Sequence, residues 1–294
     1  MTVESLVGQA LSGVSVGMVL FLIAAGLSII FGTLKVLNMA HGTMYMLGGF
    51  LCFTLTAKVT LLAGPGAFWW ALLIAPIAVA LVGGVIEVLL LRRIYTHEMI
   101  YQYILTFALI LILGDICKFF FGVSYQTVSV PWPVDGNISM LGLSFPLYNL
   151  FLIFCGVFIF VALSALMRFT SLGRIVRAVT HNRDTANALG INVPKVYTGV
   201  FMLGSYLAGL AGTLMPPMSV VALGSDVSVI IECFIIVVVG GLGSLPGAFI
   251  GAIILGLLNA FGILIIPKMA IAFPFLLMIV ILIIRPWGLL GKPE

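Results

Sequence analysis

RFTSLGRIVRAVTHNRDTANALGINVPK, residues 168–195, interrupts a chain that is otherwise almost continuous hydrocarbon. Within it Arg168, Arg174, Arg177, Arg183 and Lys195 face a single acid, Asp184. Basic residues close to membrane spans resist translocation, so a stretch of this charge stays on the cytoplasmic side. It is long enough to fold into a short docking element. A chain that offers one hydrophilic protrusion and little else is driven by, or reports to, a soluble partner.

Outward from this island the composition is that of an integral membrane protein. Of 294 residues 63% are hydrophobic and 7% charged, with a mean hydropathy of +1.31. Soluble domains carry about 25% charged residues, so a soluble helical domain is set aside. The apolar stretches fall at 10–31, 44–63, 67–91, 100–121, 147–167, 196–215, 229–239, 247–264 and 270–284. At about 1.5 Å per residue those near 20 residues cross a hydrocarbon layer of roughly 30 Å, whereas 229–239 cannot cross alone. The expected fold is an all-α polytopic membrane bundle of eight or nine hydrophobic segments, two of them broken or re-entrant, forming one domain over residues 1–294. The first apolar stretch exceeds the roughly 7–15 residues of a signal-peptide core and is read as a retained span.

With the island inside, Lys35, Arg92, Arg93, Arg285 and the C-terminus fall on the cytoplasmic side, and the loop 122–145 and the amino terminus fall outside. Of thirteen basic residues only Lys58, Lys118 and Lys268 then lie elsewhere, which supports this orientation. Trp69 and Trp70 at an outer boundary and Trp287 at an inner one fit interfacial belts. The net charge of +4 sits at span ends and marks orientation, not a nucleic-acid stripe. Cys52, Cys117, Cys155 and Cys233 lie in apolar segments without metal-ligand or disulfide spacing and read as packing residues.

Two stretches share a pattern of apolar run, glycine-containing break and small-residue helix: GLSIIFGTLKVLNMAHGTMYMLGG (26–49) and FIIVVVGGLGSLPGAFIGAIILG (234–256). The similarity is an internal repeat or a coincidence of glycine-rich membrane helices. Irregular backbone at membrane depth survives only inside protein or along a water-filled cavity, and paired breaks in transporters mark a substrate site. The candidate path residues are therefore Asn38, His41 and Thr43 in the first break, and Gly240, Gly241, Gly243 and Ser244 in the second. The plain readings beside this are interhelical hydrogen bonding for the first and a cytoplasmic turn for the second. Asp115 and Lys118, three apart, read as a neutralising pair on one helix face. Glu87 reads as held near Arg92 and Arg93 at the inner interface, and Glu232 as lying at the outer mouth of the path or snorkelling to water. Gly13 and Gly17, Gly204, Ala208 and Gly212, and Gly247 and Gly251 have the four-residue spacing that lets helix backbones approach.

Enzyme signatures are missing. The chain has no GxxxxGK[ST] loop and no HExxH, and Gly241–Ser244 has no well-placed general base, so neither a nucleotide site, a metal site nor a protease is expected.

LNMAHG at 37–42, GRIVRAVTHNRDTANALGINV at 173–193 and VVGGLGSLPGAFIGA at 238–252, in this order and spacing, resemble the membrane permease subunits of branched-chain, or hydrophobic, amino acid ABC importers. The resemblance covers nearly the whole length. It implies a permease moving such amino acids, or related small solutes, across a bacterial inner membrane by alternating access. The implied partners are a homologous second permease, two cytoplasmic ATPase subunits that use the ATP, and an extracytoplasmic solute-binding protein. No cofactor, metal or nucleic acid is implied, and membrane lipid surrounds the chain. The island would supply the ATPase-coupling helix through Asp184, Thr185, Ala186, Asn187, Ala188, Leu189 and Gly190, with Ala186, Ala188, Leu189 and Gly190 as contact core. Many relatives have an acid directly after the His-Gly pair, where this chain has Thr43. The outer loop 122–145, with Pro131 and Pro133, reads as a contact for the solute-delivery protein or as a plain connector. The competing classes are an ion-coupled secondary transporter, which needs carboxylates at the bundle centre, and a scaffold protein without a cavity.

Overall fold

A computed structural model describes residues 3–58, 64, 66–95, 97–140 and 143–291. The end of the second apolar stretch (59–63), two residues of the outer loop (141–142) and the basic Lys292 lie outside the described residues. The helices are α1 Val3–Leu34, α2 His41–Ala57, α3 Ala67–Leu89, α4 Met99–Phe121, α5 Leu147–Phe169, α6 Ser171–His181, α7 Arg183–Ala188, α8 Val193–Leu214, α9 Ser225–Gly240, α10 Leu245–Ile265 and α11 Phe273–Ile284. Single 3₁₀ turns follow α3 (Leu91–Arg93) and α10 (Pro267–Met269). An antiparallel hairpin, β1 Asn137–Met140 and β2 Leu143–Pro146, pairs Asn137 with Pro146 between α4 and α5.

Each of the nine apolar stretches carries a helix, and among the described residues six helices are long and apolar enough to cross a membrane: α1, α3, α4, α5, α8 and α10. The protein is thus an all-α, multi-pass membrane bundle. The helices α2, α9 and α11, of 17, 16 and 12 residues, fall short of about 20. Their starts and stops follow local chemistry. Asn182, Asn192 and Ser244 cap α7, α8 and α10 by accepting the amide protons of Thr185 (2.9 Å), Lys195 (3.2 Å) and Gly247 (3.1 Å). Proline in the first turn of α8 and of α10 loses no intrahelical bond there.

The core is built around α1, which packs against α10, α8, α5 and α9, while α8 also packs against α2 and α3. The contact of α1 with α10 has no room for side chains: a Cβ on Gly256 would lie 2.3 Å from the Gly13 carbonyl oxygen and 2.8 Å from the Gly17 Cα. Such approach replaces the hydrophobic effect as the organising force where lipid is the solvent. At the end of the bundle away from α6 and α7 Tyr148 donates to the Leu214 carbonyl (2.6 Å), Trp69 donates to the Trp132 carbonyl (2.8 Å), and Gln126 forms a two-hydrogen-bond bridge with Val221.

One expected contact does not form. Among the described residues Asp115 and Lys118 do not reach ion-pair distance; both stand on the exposed side of α4. A helix-surface pair at this spacing gains only about 0.2–0.5 kcal/mol, too little to hold two exposed side chains in one geometry. Glu232 reaches across to α10, where it accepts from Asn259 (3.3 Å).

Candidate functional site

α1 ends at Leu34 with Lys35 in the left-handed region (φ 57°), and residues 36–40 then run back into the bundle. Val36, Asn38 and Ala40 on this stretch are buried. The stretch ends at His41, whose Nε2 lies 3.1 Å from the Ile23 carbonyl oxygen, a level about 16 Å from the Leu34 end along the α1 axis. A carbonyl oxygen can only accept, so Nε2 carries the proton and a neutral ring presents Nδ1 as a bare acceptor. Asn38 turns its Oδ1 to the Ala40 amide (3.1 Å), leaving its Nδ2 as donor. Among the described residues the buried side-chain polar atoms without a partner are Asn38 Nδ2, His41 Nδ1, Ser28 Oγ on α1 and Ser205 Oγ on α8. Each such atom costs about 1–3 kcal/mol; Asn38 and His41 contribute two of them at one short stretch, while the Ser205 hydroxyl faces Gly83 of α3.

The first turn of α2 meets the first turn of α9. Thr43 Oγ1 donates to Asp226 Oδ2 at 3.0 Å, and both residues are buried. The meeting requires Gly42, since a Cβ there would lie 2.3 Å from the Asp226 carbonyl oxygen. Two helix amino ends thus converge on one carboxylate, the sign that their partial charges favour. Asp226 is absent from the sequence-derived candidates. The available signal was an acid just ahead of an apolar run too short to span, but its partner is far away in sequence.

The second break lies elsewhere. Gly240, Gly241, Gly243 and Ser244 form a tight turn, with φ of +103° at Gly241 and +79° at Gly243. The Val239 and Gly240 carbonyls, freed by the end of α9, accept from Leu289 (2.8 Å) and Leu290 (3.0 Å) of the C-terminal segment. Gly243 packs on Gly32 near the end of α1. Along α1 this turn and His41 stand about 14 Å apart. Asn38, His41, Thr43 and Asp226 therefore form one constellation, and the glycine turn forms a second, closed by the chain's own C-terminal segment.

The island folds as two helices, α6 and α7. Asp184, Thr185, Asn187, Ala188, Leu189 and Gly190 are exposed, whereas Ala186 is buried against the chain itself. Asp184 pairs loosely with Arg183 (3.5 Å). Beside α7 lies a cavity of about 300 Å³ whose lining includes Arg92, Tyr95, Arg183, Asp184, Asn187 and Tyr197. Behind it Glu87, fully buried on α3, pairs with Arg92 (2.9 Å) and accepts from Thr198 of α8 (2.7 Å) and from Tyr95 (3.3 Å). Burial, and then the Glu87 carboxylate, push the Tyr95 hydroxyl above its ordinary range, so it stays a donor. Tyr95 in turn stacks edge-on against Tyr197 at 5.5 Å.

Among the described residues no group of three His, Cys, Asp or Glu could hold a metal ion. No solved structure matches the chain. The chain is 28% identical to the high-affinity branched-chain amino acid transport system permease protein BraD of Pseudomonas aeruginosa, over 97% of its own length and 96% of the relative's. Identity to the permease protein LivH of the corresponding Escherichia coli system is 27% at the same coverage. A probable branched-chain amino acid transport permease protein of Methanocaldococcus jannaschii is 28% identical over 92% of this chain and 88% of its own. The family described as branched-chain amino acid transport system, permease component, matches residues 9–282, and this chain, with its multi-pass bundle and paired short helices, belongs to that family.

Proposed function

We propose that the chain is the permease subunit of an ATP-driven importer for branched-chain or other hydrophobic amino acids, residing in a bacterial inner membrane with the island and C-terminus cytoplasmic. The observation that carries this reading is the meeting of α2 and α9, both too short to span, amino end to amino end inside a bundle of six spanning helices. Half-helices of this kind supply polar groups at depth without exposing free backbone to lipid. On this reading the 36–40 stretch is re-entrant, the shorter helices α2, α9 and α11 complete the eight or nine segments, and Asn38, His41 and Thr43 line the solute's route. The unpaired polar atoms of Asn38 and His41 find partners when the bundle rocks open. The turn Gly240–Ser244 is the inner closure of that route. The names of the relatives support the solute class.

The motor subunits are separate ATPases, and two of them, with a homologous second permease and an extracytoplasmic binding protein, complete the assembly. Their contact on this chain is the exposed face of α7 and the turn after it: Asp184, Thr185, Asn187, Ala188, Leu189 and Gly190. Ala186 anchors α7 to the bundle. The test is co-purification with the ATPase followed by uptake in proteoliposomes. Leu189, 77% exposed, replaced by Asp should release the ATPase while the permease stays folded, and ATP should drive leucine uptake by the intact assembly. Ion-driven uptake by this chain alone, without ATP, would overturn the reading in favour of a secondary transporter.

A further inference from the structure

Outward of the α2–α9 junction lies a cavity of about 180 Å³ between α2, α8 and the segment that leads into α9. Its apolar wall is Met46, Met215, Pro216, Val220, Val221 and Val229. Gly49 and Gly212 are also part of its lining, and Tyr45, Ser219 and Ser225 are the lining residues that carry hydroxyls. These three hydroxyls form no side-chain hydrogen bond elsewhere among the described residues. Ser225 and Val229 of α9 line the cavity, and Asp226 stands between them in sequence, in the same first turn. Thr43 is the one hydrogen-bond donor to the Asp226 carboxylate among the described residues, and it takes Oδ2. Oδ1 is left to accept. The cavity's outer rim, Ser219 and Val220, is exposed, and Val221 is tied by its backbone to Gln126 of the outer loop.

A mostly apolar pocket with a few convergent polar groups is the ordinary form of a small-molecule site, and an ionisable residue at membrane depth marks a functional position. The lining itself supplies hydroxyl-bearing residues and an apolar wall, and the buried Asp226 carboxylate stands one residue beyond the lining residue Ser225 on α9. We propose that this cavity is the first station for the solute, and that it receives a zwitterion with an aliphatic side chain. The solute ammonium meets Asp226, its carboxylate meets the hydroxyls of Tyr45, Ser219 and Ser225, and its side chain packs on Met46, Met215 and the valines. Asp226 is then the residue that demands an α-amino group, and Thr43 is a positioning residue that fixes the carboxylate's orientation. This rests on the importer reading and deepens it: the solute is read at the outer cavity before it reaches Asn38 and His41.

The test uses the full importer in proteoliposomes, with Ser219→Cys placed at the rim and the unsubstituted chain as background control. A membrane-impermeant thiol reagent should modify Ser219→Cys, and leucine should slow that reaction about tenfold or more. 4-Methylpentanoate, which has the side chain and carboxylate but no amine, should give no protection. Asp226→Asn in the same background should weaken leucine protection about 10- to 100-fold, the effect of losing one charge-assisted hydrogen bond. Asp226→Glu should recover part of it, and retained ATPase co-purification shows that both variants fold. Equal protection by 4-methylpentanoate, or protection unchanged in Asp226→Asn, overturns the assignment of Asp226. Leucine uptake that proceeds with no protection of Ser219→Cys overturns the cavity while leaving the importer intact. Absence of ATP-driven uptake in the unsubstituted assembly overturns the importer reading itself.

Discussion

α1 and α4 are both long enough to cross the membrane and are nearly equal in hydropathy, yet 83% of the most apolar window of α1 is buried inside the bundle and only 17% of that of α4. Apolarity therefore does not decide which helix becomes the axis of the molecule. Side-chain size does. α1 presents Gly13 and Gly17 to the backbone of α10, whereas α4 turns Ile104, Phe107, Leu111 and Phe119 outward, each more than half exposed. Lipid solvates a phenylalanine as well as a protein core would, so large residues give no reason to associate. Close backbone approach gives dispersion contacts that lipid cannot match.

The sharpest way to break the comparison is to fill the α1–α10 contact. Gly256→Leu must push its side chain through the Gly13 carbonyl and the Gly17 Cα, and the variant should fail to accumulate as folded protein, as read by size-exclusion profile and yield. The milder Gly256→Ala should fold with a loss of about 1–3 kcal/mol, typical of overpacking, visible as a lowered thermal midpoint in lipid nanodiscs. Wild-type stability in Gly256→Leu would mean that this contact is not what holds α1 at the centre.

These two helices also show what the chain discloses in one dimension. The four-residue glycine spacings, the nine apolar stretches and the single polar island are local patterns, and each corresponds to an element or a contact in the structure. What stayed hidden depends on partners distant in sequence. Asp226 looks like a first-turn acid until Thr43, 183 residues away, is seen donating to it. The glycine turn at 240–244 looks like free backbone until Leu289 and Leu290 close it. Ala186 is indistinguishable in sequence from its exposed neighbours because a six-residue helix is too short for periodicity to reveal its inner side. For Asp115 and Lys118 the spacing permits a pair, but spacing alone says nothing about which rotamers an exposed face adopts.

The end of the bundle beside α7 obeys a different rule from the α1–α10 contact: there charge, not size, joins the helices. Glu87 links α3 to α8 through Thr198 and to the 3₁₀ turn through Arg92. Glu87→Gln leaves the Arg92 guanidinium facing a neutral amide. Breaking a buried pair costs about 3–5 kcal/mol, but Arg92 is 37% exposed and can turn to water, so a loss of about 2–3 kcal/mol is expected. Because Tyr95 and Arg92 also line the cavity beside α7, the variant should lower transport per ATP hydrolysed as well as stability. A stability loss with unchanged coupling would make the cluster a staple only. Thr198→Val, which removes the hydrogen bond that Thr198 donates to Glu87 and the one it accepts from Arg92 and keeps the shape, should cost about 0.6–1.7 kcal/mol in the same assay.

The smallest expected effect returns to α4. Gly114 has no neighbour within 4 Å of a built Cβ, so Gly114→Ala meets nothing in this chain. Alanine is the better helix former by about 0.5–1 kcal/mol in water, an advantage that shrinks when the helix is already inserted with its backbone bonds made. The midpoint of the isolated chain should therefore stay within about 0.5 kcal/mol of wild type, or rise slightly. Gly256→Ala and Gly114→Ala make the same chemical change in two apolar helices, so any difference between them reports the facing surface alone. Should both destabilise equally, glycine would be acting through helix flexibility, and the packing account of why α1 is central and α4 peripheral would fail. Should Gly114→Ala be silent in the isolated chain and yet weaken the assembled importer, the bare face of α4 would be one that another subunit covers.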